Sequence, residues 1–169
     1  MRILSIILIF FASTAAAQQT KPPADAVRVQ KFLDRAQPAC RSGPATACVD
    51  AGLLFAASRP KHGLTVSDLK TLRTRLGAWY GWHQANLVER ERLSIGFALL
   101  LADGIGAERL HGMFDEDGNG TVTQSELLAD VTLDRRPLGK TLSDPKAVDR
   151  AALARRLGLP LPIVNGLFR

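Results

Sequence analysis

The most constraining feature of the sequence is a twelve-residue stretch, residues 115–126, in which oxygen-bearing side chains recur at alternate positions. Asp115, Asp117 and Asn119 begin it, and Glu126 ends it. Carboxylate and amide oxygens are the ligands that hard divalent cations prefer. A solvated acidic turn is the alternative, since Asp-Gly and Asn-Gly pairs favour turns by themselves. A turn, however, does not require a glutamate six residues after its second glycine.

This pattern resembles the calcium loop of the EF-hand superfamily, which has Asp first, Asp or Asn third and fifth, Gly sixth and Glu twelfth. Gly120 holds the sixth place, where the chain turns sharply and needs a positive φ. The resemblance implies an EF-hand at about residues 107–131, with Ca²⁺ as the cofactor. Its oxygen ligands would come from Asp115, Asp117, Asn119, Thr121, Thr123 and Glu126. Thr121 would contribute its backbone carbonyl, and Glu126 both carboxylate oxygens.

EF-hand loops usually pair with a second loop through their eighth residue, which is Val122 here. Residues 64–69 repeat the order of residues 122–127: an apolar residue, Thr, Ser, an acid and Leu. In that alignment the first, third and fifth ligand places hold Ala57, Arg59 and Lys61, none of which can bind calcium. The repeat therefore indicates either a degenerate hand or an ordinary capping box from Thr65 to Asp68.

A second, weaker repeat covers residues 148–153, whose spacing matches that of residues 122–127. The residues before it lack ligands, and Ala152 replaces the glutamate. A further degenerate hand is the corresponding hypothesis.

Residues 1–17 have the organisation of a secretory signal peptide: Arg2, an apolar run of about ten residues and an Ala-rich cleavage site. The run is too short for a membrane-spanning helix, which needs about 20 residues. We therefore predict a bacterial protein that is periplasmic or secreted, with residues 18–169 forming one helical domain and no transmembrane segment after cleavage.

The chain is basic, with a formal net charge of +6, which becomes +5 when the single charge of Arg2 is removed. The basic residues are scattered, so solvated helix faces are one interpretation. The other is attraction to an anionic envelope polymer or membrane surface. Nucleic acid is not an expected partner for an exported protein.

Cys40 and Cys48 are the only cysteines. In an oxidising compartment, an isolated pair so close in sequence favours a disulfide, with two buried free thiols as the alternative.

Apolar spacing predicts an all-α fold. The predicted helices cover residues 24–36, 46–58, 66–76, 83–102, 107–114, 125–133 and 143–157, with an extended tail after residue 158. Residues 77–82 are predicted to form a break whose aromatic residues, Trp79, Tyr80 and Trp82, belong to the core rather than to a sugar platform. The apolar stretch 93–102 is predicted to be a buried core helix.

The sequence contains no recognisable catalytic constellation, so we predict a protein that is not an enzyme. Its primary predicted function is exported calcium binding through one loop, for structural stabilisation or for binding a protein partner. The alternative is a basic module that docks to an anionic envelope component, with calcium as a structural aid.

Overall fold

The computed structural model describes residues 21–167, and the predicted signal peptide lies outside this range. The described residues contain nine α-helices and two isolated antiparallel β-bridges, so the all-α prediction is confirmed. The helices are α1 (Ala24–Ser42), α2 (Ala45–Ala56), α3 (Val66–His83), α4 (Glu89–Ile105), α5 (Ala107–Phe114), α6 (Gln124–Leu127), α7 (Leu138–Ser143), α8 (Arg150–Leu157) and α9 (Leu161–Leu167).

The predicted bridge between Cys40 and Cys48 is present, with the two Cα atoms 4.6 Å apart. It joins the last turn of α1 to the first turns of α2. The predicted end of the first helix at residue 36 was wrong, because α1 continues through Pro38 to Ser42. The Ser42 hydroxyl donates a hydrogen bond to the Pro38 carbonyl at 2.9 Å, within the final turn that the disulfide anchors.

The predicted break at residues 77–82 was also wrong, since α3 continues through both of its glycines to His83. Trp79 explains the difference: it is buried, packs against Ala26 and Val29, and donates from its indole nitrogen to Gln30 at 2.9 Å. This tertiary packing outweighs the cost of about 1 kcal/mol for each glycine in a helix. The core assignment of the aromatic cluster is thus correct.

Helix α4 differs from the buried core helix that its apolar sequence predicts. None of its residues is buried, and Leu93, Phe97 and Leu100 are 63%, 42% and 67% exposed. Two polar contacts and one apolar contact join the helix to α3: the Tyr80 hydroxyl donates to the Arg92 carbonyl, Arg73 pairs with Asp103, and Ile95 packs against the cluster around Trp79. Apolar composition alone therefore did not determine burial here.

The C-terminal third is more broken than predicted. The helix after the acidic loop ends at Leu127, and the chain then turns so that Val131 forms an antiparallel bridge with Val148. This bridge occupies the first half of the predicted helix 143–157, so only the second half is helical, as α8, and α7 precedes the predicted helix at residues 138–143. The predicted extended tail is instead helical, as α9.

Two apolar clusters form the core. The first lies beneath the acidic loop and contains Ala56, Ala57, Leu64 and Val122, with Phe114 and other partly buried residues packed around it. The second joins α1 to α3 around Trp79. The first cluster is the one that positions the candidate site.

Candidate metal centre

The acidic loop, residues 115–126, connects the end of α5 to the start of α6. It brings three of the predicted ligands together: carboxylate oxygens of Asp115, Asp117 and Glu126 all lie within 4.8 Å of one another. These carboxylates come from the first, third and twelfth places of the loop, so the chain must curl back on itself to join them. Oxygen atoms at this separation can contact one hard cation.

Hydrogen bonds within the loop produce the curl. The Asp115 carboxylate accepts from the backbone N–H groups of Asn119 at 3.1 Å and Gly120 at 3.0 Å. Asn119 in turn accepts from the N–H of Thr121 at 2.8 Å. Gly120 has φ +84°, a value that side-chain-bearing residues rarely adopt, which explains glycine at the sixth place.

Glu126 closes the loop and also begins α6. Its carboxylate accepts from the Thr123 N–H at 2.8 Å and hydroxyl at 2.7 Å, while the Thr123 hydroxyl accepts from the Glu126 N–H, forming a capping box. The other carboxylate oxygen accepts from the Glu116 N–H at 2.9 Å. The Thr123 backbone bond, then its hydroxyl, and further N–H donors of the loop lower the pKa of Glu126 to about 2. The carboxylate is therefore ionised at neutral pH.

The other predicted ligands lie in the same loop, bonded to their neighbours. The Asn119 amide nitrogen donates to Asp117 at 2.8 Å, and the Thr123 hydroxyl contacts Glu126 and Ser125. Thr121 is half-buried beside Asn119. The atoms available as metal ligands are carboxylate, amide, hydroxyl and carbonyl oxygens. This set suits Ca²⁺ better than softer metals, which prefer nitrogen or sulfur ligands.

Two residues outside the loop support it, and neither was identified from the sequence. His111, on α5, is buried and its Nε2 atom donates to the Leu64 carbonyl at 3.1 Å. Its Nδ1 atom lies 3.7 Å from the Asp115 carboxylate. His111 and Asp115 are four residues apart, so they lie on the same side of a helix. This spacing is the only sequence signal that could have linked His111 to the acidic loop.

Arg156, on α8, is the second support. Its guanidinium contacts Glu116 at 2.7 Å, Asp130 at 2.8 Å and the Met113 carbonyl at 3.3 Å, and it lies over the Phe114 ring. One side chain therefore joins the end of α5, the loop and the segment after α6. No local pattern marks Arg156, because its partners are 26 to 43 residues away in sequence.

The acidic loop is paired with residues 57–68. Leu64 and Val122 form an antiparallel bridge with two backbone hydrogen bonds of 2.8 Å. These are the two residues that the sequence repeat aligned. A second capping box, from Thr65 to Asp68, repeats the one that begins α6. Asp68 also accepts from the Ser58 N–H at 2.9 Å.

The second bridge, between Val131 and Val148, is accompanied by a different arrangement. The Arg136 guanidinium lies between Asp134 and Asp144, with N···O distances of 2.6 and 2.8 Å. The hydrogen bonds from Arg136 are the main cause that lowers the pKa of Asp134 to about 2. An arginine side chain thus already neutralises the carboxylates of this segment.

Comparison with models of protein families, with curated proteins and with solved structures finds no match to this chain. Among the described residues, no helix combines the length and apolar character that crossing a membrane requires.

Proposed function

We propose that this is an exported calcium-binding protein, periplasmic or secreted, that holds one Ca²⁺ ion in an EF-hand loop and has no catalytic role. The observation that carries the proposal is the convergence of Asp115, Asp117 and Glu126 within 4.8 Å, at the spacing of an EF-hand loop. Three carboxylates so close repel one another, and a divalent cation removes that repulsion. The pairing of Leu64 with Val122 adds support, because a degenerate partner hand would pair in this way.

The ion would act mainly as a structural staple between α5 and α6. Hydrogen bonds and Arg156 already hold the loop in a closed shape, so binding requires little rearrangement. The competing role is that of a sensor, in which calcium exposes an apolar surface for a protein partner. The short α6, only four residues long, favours the staple because it offers little helix to swing outward.

A calcium titration followed by melting temperature and by binding of a dye for apolar surfaces separates these roles. A single extracellular-type site binds with a Kd of about 10⁻³ M. At ten times that concentration, calcium stabilises the fold by about 1.4 kcal/mol. For a domain of this size the melting temperature then rises by about 3–6 °C. A rise without new dye binding supports the staple, whereas new dye binding supports a sensor.

The site assignment is tested by Glu126→Gln, with Glu116→Gln as the matched control. Both variants remove one negative charge from the same loop, but only Glu126 is a proposed ligand. We expect Glu126→Gln to weaken calcium binding by at least about tenfold, or 1.4 kcal/mol, and Glu116→Gln to change it by much less. If Glu126→Gln binds calcium as tightly as the unmodified protein, Glu126 is not a ligand and the site assignment is wrong.

Export rests on the signal-like residues 1–17 and is supported by the disulfide between Cys40 and Cys48. N-terminal sequencing of the protein recovered from the periplasm or medium tests it. The expected first residue is Gln18. Recovery of the uncleaved chain from the cytoplasm would contradict the proposal.

A further inference from the structure

A concave groove of about 720 Å³ lies between α1 and α2, away from the acidic loop. Four basic side chains line it: Arg28, Lys31 and Arg35 from α1, and Arg75 from α3. None of its lining residues is acidic. We refer to this surface as the basic groove.

The three cations of α1 are arranged as a row. Arg28, Lys31 and Arg35 are spaced by three and four residues, which places them along one side of the helix over about 10 Å. All three are exposed, and within residues 21–167 none of them forms an ion pair or a side-chain hydrogen bond. This distinguishes them from Arg73, Arg136 and Arg156, whose charges are paired with carboxylates.

The floor of the groove is apolar and fixed. The Phe32 and Phe55 rings stack with centroids 4.2 Å apart, which joins α1 to α2. Arg75 lies over the Phe55 ring at 5.8 Å, and the nearest carboxylate, that of Asp25, is 3.9 Å away at the edge of pairing range. Leu54, 65% exposed, extends the apolar surface beside the cations.

We propose that the basic groove binds a linear polymer carrying phosphate groups, such as a phosphodiester-linked polymer of the cell envelope. A row of unpaired cations about 10 Å long matches successive charges of an extended chain. Three of the four are arginines, whose planar guanidinium groups contact phosphate oxygens in pairs. The concave shape favours a chain over a flat membrane, which a groove contacts only at its rims.

The test measures anisotropy of a labelled poly(glycerol phosphate) chain mixed with the purified protein in calcium-containing buffer at several salt concentrations. A triple variant, Arg28→Ala, Lys31→Ala and Arg35→Ala, should weaken binding by at least about tenfold at low salt. The slope of log affinity against log salt concentration should also become less negative by about two, since up to three phosphate contacts are lost. All three side chains are exposed, so the melting temperature should not change.

The matched control removes the same charge from other helices, through Arg109→Ala, Lys140→Ala and Arg155→Ala. These side chains are also exposed and lie outside the groove. We expect the control to retain polymer binding to within about threefold. An equal loss in both triple variants would overturn the proposal, because binding would then depend on net charge alone.

Vesicles of phosphatidylglycerol present the same glycerol phosphate chemistry on a flat surface. Weaker binding to vesicles than to the polymer, at equal phosphate concentration, supports the groove as a chain-binding site. Equal or stronger binding to vesicles would overturn the proposal in favour of a membrane-docking surface. The groove and the calcium loop share no residues, so the Glu126→Gln variant should bind the polymer normally whatever its calcium affinity.

Discussion

The contact between the acidic loop and residues 57–68 depends on a glycine, and Gly63→Ala should break it. Gly63 precedes the bridging residue Leu64 and has φ +87° and ψ −172°. Almost only glycine adopts this combination. A Cβ atom at this position would lie 2.6 Å from the carbonyl oxygen of Val122, which accepts the hydrogen bond from the Leu64 N–H. The obstacle is backbone, so no side-chain rotation relieves it.

Two costs set the expected magnitude. Forcing alanine into this backbone conformation costs about 1–3 kcal/mol. Losing one or both bridge hydrogen bonds costs about 1 kcal/mol each. The sum, about 2–5 kcal/mol, is a large part of the 5–15 kcal/mol that stabilises a typical domain. Calcium affinity should fall as well, because the displaced Val122 lies between two of the proposed ligands, Thr121 and Thr123.

Denaturant unfolding with excess calcium and with chelator measures both effects. Gly52→Ala is the matched control: Gly52 lies inside α2, and a Cβ atom there would meet no atom within 4 Å. Alanine at that position should stabilise the protein by about 0.5–1 kcal/mol. If the unfolding free energy of Gly63→Ala lies within about 0.5 kcal/mol of that of the unmodified protein, the bridge between Leu64 and Val122 is not a required contact and the prediction is refuted.

Three further perturbations address the surroundings of the site. Arg156→Met should lower the unfolding free energy by about 1–3 kcal/mol, because it leaves the carboxylates of Glu116 and Asp130 unpaired. The control Arg155→Met, on the exposed side of α8, should change it by less than about 0.5 kcal/mol in the same denaturant assay. Burial raises the pKa of Asp68, but hydrogen bonds from Thr65 and Ser58 lower it overall to about 2. Ionised Asp68 therefore contributes about 2 kcal/mol to the unfolding free energy above pH 4, and this contribution is lost as the pH falls toward 2. Acid unfolding of Asp68→Asn should lack this component, and an acid transition identical to that of the unmodified protein would contradict it. Replacing Cys40 and Cys48 with serine should cost about 2–3 kcal/mol, seen as a fall in melting temperature of about 5–10 °C, and an unchanged melting temperature would contradict a stabilising bridge.

The parts predicted correctly from the sequence are those fixed by local spacing. The carboxylates of the acidic loop converge because one chain turn brings places one, three and twelve together. The disulfide could be predicted because Cys40 and Cys48 are close in sequence. The partner of Val122 was indicated by a repeat in residues 64–69, which preserves the apolar place and the capping residues although the ligands differ.

The parts predicted wrongly depend on contacts between distant residues. Helix α3 continues past its glycines because Trp79 packs against α1. The predicted helix 143–157 begins late, at Arg150, because Val148 bridges to Val131. Helix α4 is exposed despite its leucines, because burial depends on which elements lie beside it and not on composition. Arg156 reaches the loop from 40 residues away in sequence, and no local pattern reports such a contact.

The two paired segments differ in their need for a cation. Both begin a helix with a capping box, from Thr65 to Asp68 and from Thr123 to Glu126. Asp68 is a single buried carboxylate, and both of its oxygens accept hydrogen bonds from Ser58 or Thr65. Donors within the chain therefore satisfy its carboxylate oxygens, and no second carboxylate lies beside it in a metal-holding group of the described residues.

Glu126 has the same capping role, but it lies among other carboxylates. Asp115 and Asp117 are within 4.8 Å of it, and Arg156, the arginine that contacts the loop, pairs with Glu116 instead. Hydrogen bonds satisfy the oxygens but do not remove the repulsion between like charges. In the proposed function, calcium supplies the missing positive charge to the acidic loop, while residues 57–68 keep the same structure and pair with it. Calcium would then stabilise the packing that already exists between Leu64 and Val122, which is the behaviour expected of a staple.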